Sequence, residues 1–213
     1  MLKRLSLIFA LFILCLFSCD NTKNYTLEEL EKNHYNSLGL RVDPALDAEG
    51  YKKIFDEFQN LGKDQILNRL SVKDLELHHA SFGLYYLATA YAVDGDMENA
   101  LKYHEIAAEH YLNPQSLLKL AELNFHVRKD FVKAYEYLHQ SLEITIEITE
   151  NNRSHPVAKN GKDKAQFLLQ ELEQMGERKV FDKAATRAHL KETLSPLMDK
   201  YREMYGLGAR ENS

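Results

Sequence analysis

The sequence predicts an all-α chain: a short α-solenoid of two repeated helical hairpins with flanking capping helices. Three observations carry this. First, residues 81–148 write one apolar pattern twice at an offset of 34 residues. Leu84 returns as Leu118, Leu87 as Ala121, Tyr91 as Phe125, Asp96 as Asp130, Ala100 as Ala134, Tyr103 as Tyr137 and Ala107 as Ser141. Such a period marks stacked helical units, each needing a neighbour to cover its apolar face. Second, apolar residues outside the repeats also recur at helical spacing, as in Tyr51, Ile54, Phe55, Phe58 and Leu61. Third, the one stretch that alternates like a strand, 144–149, continues the helical series Phe131, Ala134, Tyr135, Leu138, Leu142, Thr145. A lone strand would have no partner, so this stretch reads as helix.

Taken in order, the chain opens with a positive segment at Met1 to Arg4 and an apolar run from Leu5 to Phe17. That run is shorter than the roughly 20 apolar residues a membrane span requires. The series Leu16, Phe17, Ser18, Cys19 resembles the lipobox of bacterial lipoproteins, which implies cleavage before Cys19 and fatty acylation of its thiol. Phe17 is less typical of that series than a small or aliphatic residue. An ordinary secretory signal and an uncleaved anchor are the alternatives. Cys15 lies inside the apolar run, so cleavage would leave Cys19 as the sole cysteine and allow no disulfide within the chain.

The expected organisation is a signal peptide over 1–18, a lipid-anchored tether over 19–25 and N-terminal helices over 26–80. The two repeats over 81–148, a polar loop over 149–162 and C-terminal helices over 163–213 follow. Thr26 and Glu29 form a capping box for a short helix from Leu27 to about Ser37. A second helix covers Ala48 to Leu61 and a shorter one Asp64 to Leu70. Ser71 with Asp74 is expected to cap the long helix that enters the first repeat. Asp96, Asn113 with Pro114, and Asp130 are expected to cap the next three helices. Pro156 and Gly161 mark the loop, and Phe167, Leu168, Leu172 and Met175 a helix beyond it. Two further helices are read from Val180 to Leu194 and from Pro196 to Tyr205, with Ser195 as cap. Ala184 and Ala188 hint at a decayed third repeat.

With Ser81 as position 1, Leu84, Ala88, Tyr91, Ala100 and Ala107 stand at positions 4, 8, 11, 20 and 27; with Gln115 as position 1, Leu118, Phe125 and Ala134 stand at positions 4, 11 and 20. This pattern resembles the tetratricopeptide repeat, whose unit is 34 residues. The second copy has Glu122 where a small residue is usual and Ser141 where Ala is usual, so looser packing or an atypical neighbour is expected there. The resemblance covers about a third of the chain and implies binding along the face made by the first helix of each repeat. Carried over, that face presents Phe82, Tyr85, Thr89 and Ala92, then Ser116, Lys119, Leu123 and His126. Phe82, Tyr85, Thr89, Lys119 and His126 are the candidate partner-binding residues. Coverage by flanking helices, which would make them core, is the competing account. Family members that clamp a peptide carboxylate use a Lys with Asn residues; Lys119 is in place, but Leu123, Tyr85 and Thr89 supply no such Asn.

Composition narrows the function classes. The chain has 213 residues, 45% hydrophobic and 28% charged, with a net charge of -5. Losing Lys3 and Arg4 leaves 25 of the 27 basic residues against 32 acidic, or -7, which argues against nucleic acid. Of nine histidines, His78 and His79 are adjacent and face different ways, and His104 and His110 are six apart. Neither pair has the four-residue spacing of a zinc helix, so no metal is expected. Asp94, Asp96 and Glu98 lack the rest of a calcium loop. Glu105 and Glu109 are an ordinary acidic helix surface, and no phosphate loop or nucleophile motif is present. The expectation is a non-enzymatic lipoprotein of the cell envelope, without cofactor, that holds another envelope protein or peptide and meets the membrane through Cys19. A cell-wall hydrolase on a helical scaffold, or its regulatory subunit, and a structural homo-oligomer are the alternatives.

Overall fold

Asp96 and Asp130, one repeat apart, open their helices in the same way. Each carboxylate accepts the backbone N–H three residues on, from Asn99 and Lys133, at 3.1 Å in both cases. This satisfies one of the donors that every helix start leaves unpaired. The computed structural model describes residues 46, 48–72, 75–151 and 156–208. Cys19, the signal segment, the tether and the expected helix from Leu27 lie outside the described residues.

The helices follow in order as α1 (Ala48–Phe58), α2 (Lys63–Leu70), α3 (Leu77–Val93), α4 (Met97–Tyr111), α5 (Pro114–Leu123), α6 (Phe131–Asn151), α7 (Pro156–Glu177) and α8 (Lys183–Met204). A π-helical turn over Asn124–Arg128 extends α5. The described residues are all-α, with no strand element among them. None of their helices is long and apolar enough to cross a membrane.

Helices α3 and α4 pack as one hairpin and α5 and α6 as the next, with α4 against α5. Close approach of helices requires short side chains at the crossing. Ala88, Ala100, Ala107, Ala121 and Ala134 supply them, each no more than 1% exposed. Gly83 does the same on the outer side of α3: a Cβ there would stand 2.7 Å from Leu70 and 3.1 Å from Phe58. Helices α1 and α2 cover α3, while α7 covers the second hairpin. The apolar interior falls into two clusters. Phe58, Leu70, Leu84, Leu87 and Leu120 belong to the first, and Leu118, Tyr135, Leu138 and Leu172 to the second.

Ser141, one of the departures from the repeat pattern, is buried and donates from Oγ to the Pro114 carbonyl at 2.8 Å. The expected looseness at that position is therefore corrected, because a hydroxyl bonded to a helix start replaces a methyl contact. Charged groups complete the joints. The Tyr135 hydroxyl donates to Glu173 at 2.5 Å, and Lys183 and Arg187 donate to the same carboxylate at 3.0 and 2.8 Å. Burial opposes ionisation of Glu173, but these three donors outweigh it and hold the carboxyl down at about 2. Glu147, 2% exposed, pairs with Arg202 at 2.8 Å and joins α6 to α8.

Several expectations give way at the two flanks. Helix α3 begins after Glu76, whose side chain makes no cap, and Ser71 closes α2 instead; Asp74 lies outside the described residues. The expected loop over 149–162 is mostly helix, because Pro156, having no N–H to lose, starts α7 and Gly161 is carried inside it. Ser195 and Pro196 do not start a helix either: α8 runs through them. The proline leaves the Glu192 carbonyl without its intrahelical donor, a loss that water offsets because both residues are exposed. Before Pro196, Leu190 packs in the second cluster; after it, Met198 and Tyr201 pack in the first. Phe167 is 64% exposed, while Leu168 and Leu172 are buried in the second cluster and Met175 packs against it. Ala184 and Ala188 are exposed while Thr186 and Leu190 are buried, so those alanines do not mark a third hairpin contact.

The close approach at Gly83 gives a direct test. Gly83→Ala forces Leu70 and Phe58 aside and should cost about 1–3 kcal/mol of folding free energy, as overpacking does. Thermal unfolding beside Gly62→Ala, where a Cβ meets nothing closer than 3.8 Å, isolates the packing effect.

Candidate functional site

The groove between α3 and α5 is lined by positions that stand 34 residues apart in the sequence. Thr89, Ala92 and Val93 on α3 correspond to Leu123, His126 and Val127 on α5 and its π-turn, and all six line one cleft of about 420 Å³. Met97, Ala100 and His104 of α4 and Lys119 and Glu122 of α5 complete the lining. A volume in this range suits a small ligand or a few side chains of a partner.

Helix α5 widens where it meets this cleft. Buried Asn124 donates from Nδ2 to the Leu120 carbonyl at 2.8 Å. Its own carbonyl receives the N–H of Lys129 and, at 3.0 Å, that of Asp130. The Lys129 bond closes a wider loop than an α-helix allows, with Lys129 at φ 58 ending the turn. The π-turn leaves His126 and Val127 exposed on the rim, Val127 at 70%. Val93 at 83% and Met97 at 44% are the other exposed apolar side chains there.

Thr89, Lys119, Glu122 and His104 in the cleft already have partners, while among the described residues His126 meets only the Phe125 ring, edge-on at 4.8 Å. Thr89 Oγ1 donates to the Tyr85 carbonyl at 2.9 Å. Lys119 Nζ donates to Glu122 at 2.7 Å. His104 is 3% exposed, with Nδ1 3.2 Å from Ser116 Oγ. Burial, and then the neighbouring Lys119 charge, pushes its pKa down to about 4. The imidazole is therefore neutral at pH 7.

Of the residues singled out from the sequence, Thr89, Lys119 and His126 come together in the groove. Tyr85 is half-buried beside it, its ring 5.8 Å from that of His104. Phe82 is corrected: it is 3% exposed and packs edge-on against Phe55 at 4.7 Å and Tyr51 at 6.0 Å. Helix α1 occupies the surface that a partner would need. Ser116 is likewise buried, under His104. Val93, Met97, His104, Glu122 and Val127 line the groove without having been read from the sequence as binding residues. The 34-residue offset that pairs Val93 with Val127 was the available signal.

The histidines take separate places. His78 is buried against the rings of Tyr51 and Tyr205, while His79 lies 3.1 Å from Glu76 and 3.5 Å from Glu57. Among the described residues, no group of three or more His, Cys, Asp or Glu side chains could hold a metal ion. Glu105 lies 3.6 Å from Arg128, an ion pair at the helix surface.

Two outcomes follow. Phe82→Ala should cost about 3–5 kcal/mol in thermal or denaturant unfolding, whereas Val127→Ala should stay within about 0.5 kcal/mol of the parent chain. For His104, the folded pKa of about 4 lies below the ordinary 6.5. The unfolded chain therefore binds the extra proton between these values, and the stability contribution is full above pH 6.5 and lost as pH falls through 4. The span amounts to on the order of 3 kcal/mol. Denaturant unfolding from pH 7 to 4 should show this slope, and His104→Asn should flatten it.

Compared with known proteins, the chain matches no family model, no curated protein and no solved structure, so the repeat resemblance rests on this chain's own residues.

Proposed function

We propose that this chain is a non-enzymatic binding lipoprotein of the tetratricopeptide kind, held to a bacterial envelope membrane by acylated Cys19. The groove between Thr89 and Val127 takes a segment of another envelope protein. One observation carries the reading: both walls of the groove use the same positions of consecutive repeats, Thr89, Ala92 and Val93 against Leu123, His126 and Val127. A surface assembled from equivalent positions is what a helical-repeat binder presents. The apolar rim supports the same reading, since Val93, Met97 and Val127 gain from burial that the described residues do not provide. Helices α1, α2, α7 and α8 act as caps that let two repeats stand without further units.

A photo-crosslinking amino acid at Val127 in the full-length chain, activated in the native cell, tests this. The expected result is a discrete protein adduct that Met97→Glu abolishes. An adduct pattern unchanged by Met97→Glu, or none, contradicts the groove as a binding site. For the anchor, Cys19→Ala should release the chain from the membrane fraction and abolish fatty-acid labelling, because acyl chains supply the membrane affinity. Unchanged fractionation and labelling would contradict it.

A further inference from the structure

Resting on that reading, we infer that the groove is built for an uncharged aliphatic segment of its partner, and that its Lys119 is a wall rather than a receptor for carboxylate. Thr89 is bonded to the Tyr85 carbonyl, His104 faces Ser116, and Lys119 is engaged by Glu122. What remains without a counterpart is mainly apolar, Val93, Met97 and Val127 at 83%, 44% and 70% exposure, with the exposed imidazole of His126 the one polar group beside them.

Charge sharpens the choice of occupant. Lys119 and Glu122 are the sole Lys and the sole carboxylate among the lining residues, and they face each other at 2.7 Å. A carboxylate entering the groove must draw Lys119 away, which leaves the partly covered Glu122 beside a second negative charge. An ammonium or guanidinium entering must compete with Lys119 for Glu122 and meets like charge in turn. Either exchange removes one partner from a partly exposed pair, a loss of about threefold to fivefold in affinity, on the order of 1 kcal/mol or less. An aliphatic segment leaves the pair intact and gains from covering the rim, since apolar area removed from water is favourable in proportion to its extent. The groove is therefore electrically complementary to a neutral segment.

The test uses the full-length chain in lipid nanodiscs and three fluorescent peptides with blocked ends. One is a hexapeptide of Leu, Ile and Ser; in the others, two Ser are replaced by Asp or by Lys. Empty nanodiscs give the background of partition into lipid. The neutral peptide should bind about threefold to fivefold more tightly than either charged one, the range that one disrupted, partly exposed charge pair produces. Its affinity should be the same at low and high salt. Met97→Glu and Val127→Lys, of opposite charge and both at exposed positions, should each weaken it about tenfold, whereas Lys102→Ala, exposed and outside the groove, should leave it unchanged. Their unfolding temperatures check that the fold is kept. Preference for the acidic peptide with loss on Lys119→Ala overturns the inference, as does preference for the basic peptide, or no binding of any of the three above background. The crosslink at Val127 separates the two levels. An adduct mapped to a charged partner segment overturns this inference and leaves the binding function standing, while absence of any adduct overturns both.

Discussion

The arrangement depends on one buried side chain, Asn113, at the corner where the first hairpin passes into the second. Its Nδ2 donates to Ser81 at the oxygen of the side chain and the carbonyl, 2.9 and 3.3 Å away. Its Oδ1 accepts the N–H groups of Gln115 and Ser116 at 3.0 Å each. One fully buried amide thus caps α5 and ties its start to α3 across the intervening hairpin helix. The backbone around it is held in an uncommon shape: Leu112 sits at φ 49, which costs a non-glycine residue roughly 1–2 kcal/mol. Burial of the Leu112 side chain at 4% exposure and the bond from the Asn113 N–H to the Ala107 carbonyl hold it there.

Further polar contacts gather around the same corner. His104 meets Ser116 and Ser141 meets Pro114, so α4, α5 and α6 each contribute to one buried set of hydrogen bonds. Such a set specifies a single arrangement, since a small slip would strand buried donors and acceptors at about 1–3 kcal/mol apiece. The small residues decide how closely the helices approach, and the polar set decides in which register. The groove follows from both. Its walls are one repeat apart, its floor is α4, and His104 contributes a neutral side chain to the lining from a position inside the polar set.

Much of this was legible in the chain itself, and the reasons for success and failure are physical. Asp96, Asn113 with Pro114, and Asp130 were readable as caps because a cap is local: acceptor and donor lie within three residues. The alanines were readable because they repeat. The second role of Asn113 was not, since its bond to Ser81 spans 32 residues and leaves no mark on local pattern. Phe82 was assigned to the groove from its repeat position, but α1 covers it, and which helix packs where is a tertiary matter. Pro156 and Pro196 show the same limit from opposite sides. Both were read as boundaries; one begins a helix where a loop was expected, and the other sits inside a helix whose two halves serve different clusters. The π-turn that displays His126 and Val127 arises from a buried Asn and a Lys at φ 58, neither of which a periodicity argument detects.

If Asn113 fixes the register of the hairpins, then the width of the groove should depend on it more than on any residue lining the groove. Spin labels on Val93→Cys and Val127→Cys, read by pulsed electron resonance in the full-length chain, measure that width directly. The account predicts a narrow distance distribution in the parent sequence and, in Asn113→Ala, a broadened or shifted one while the helical content is retained. An Asn113→Ala chain that folds with the same narrow distance would contradict it, because the groove would then be set by the apolar contacts alone.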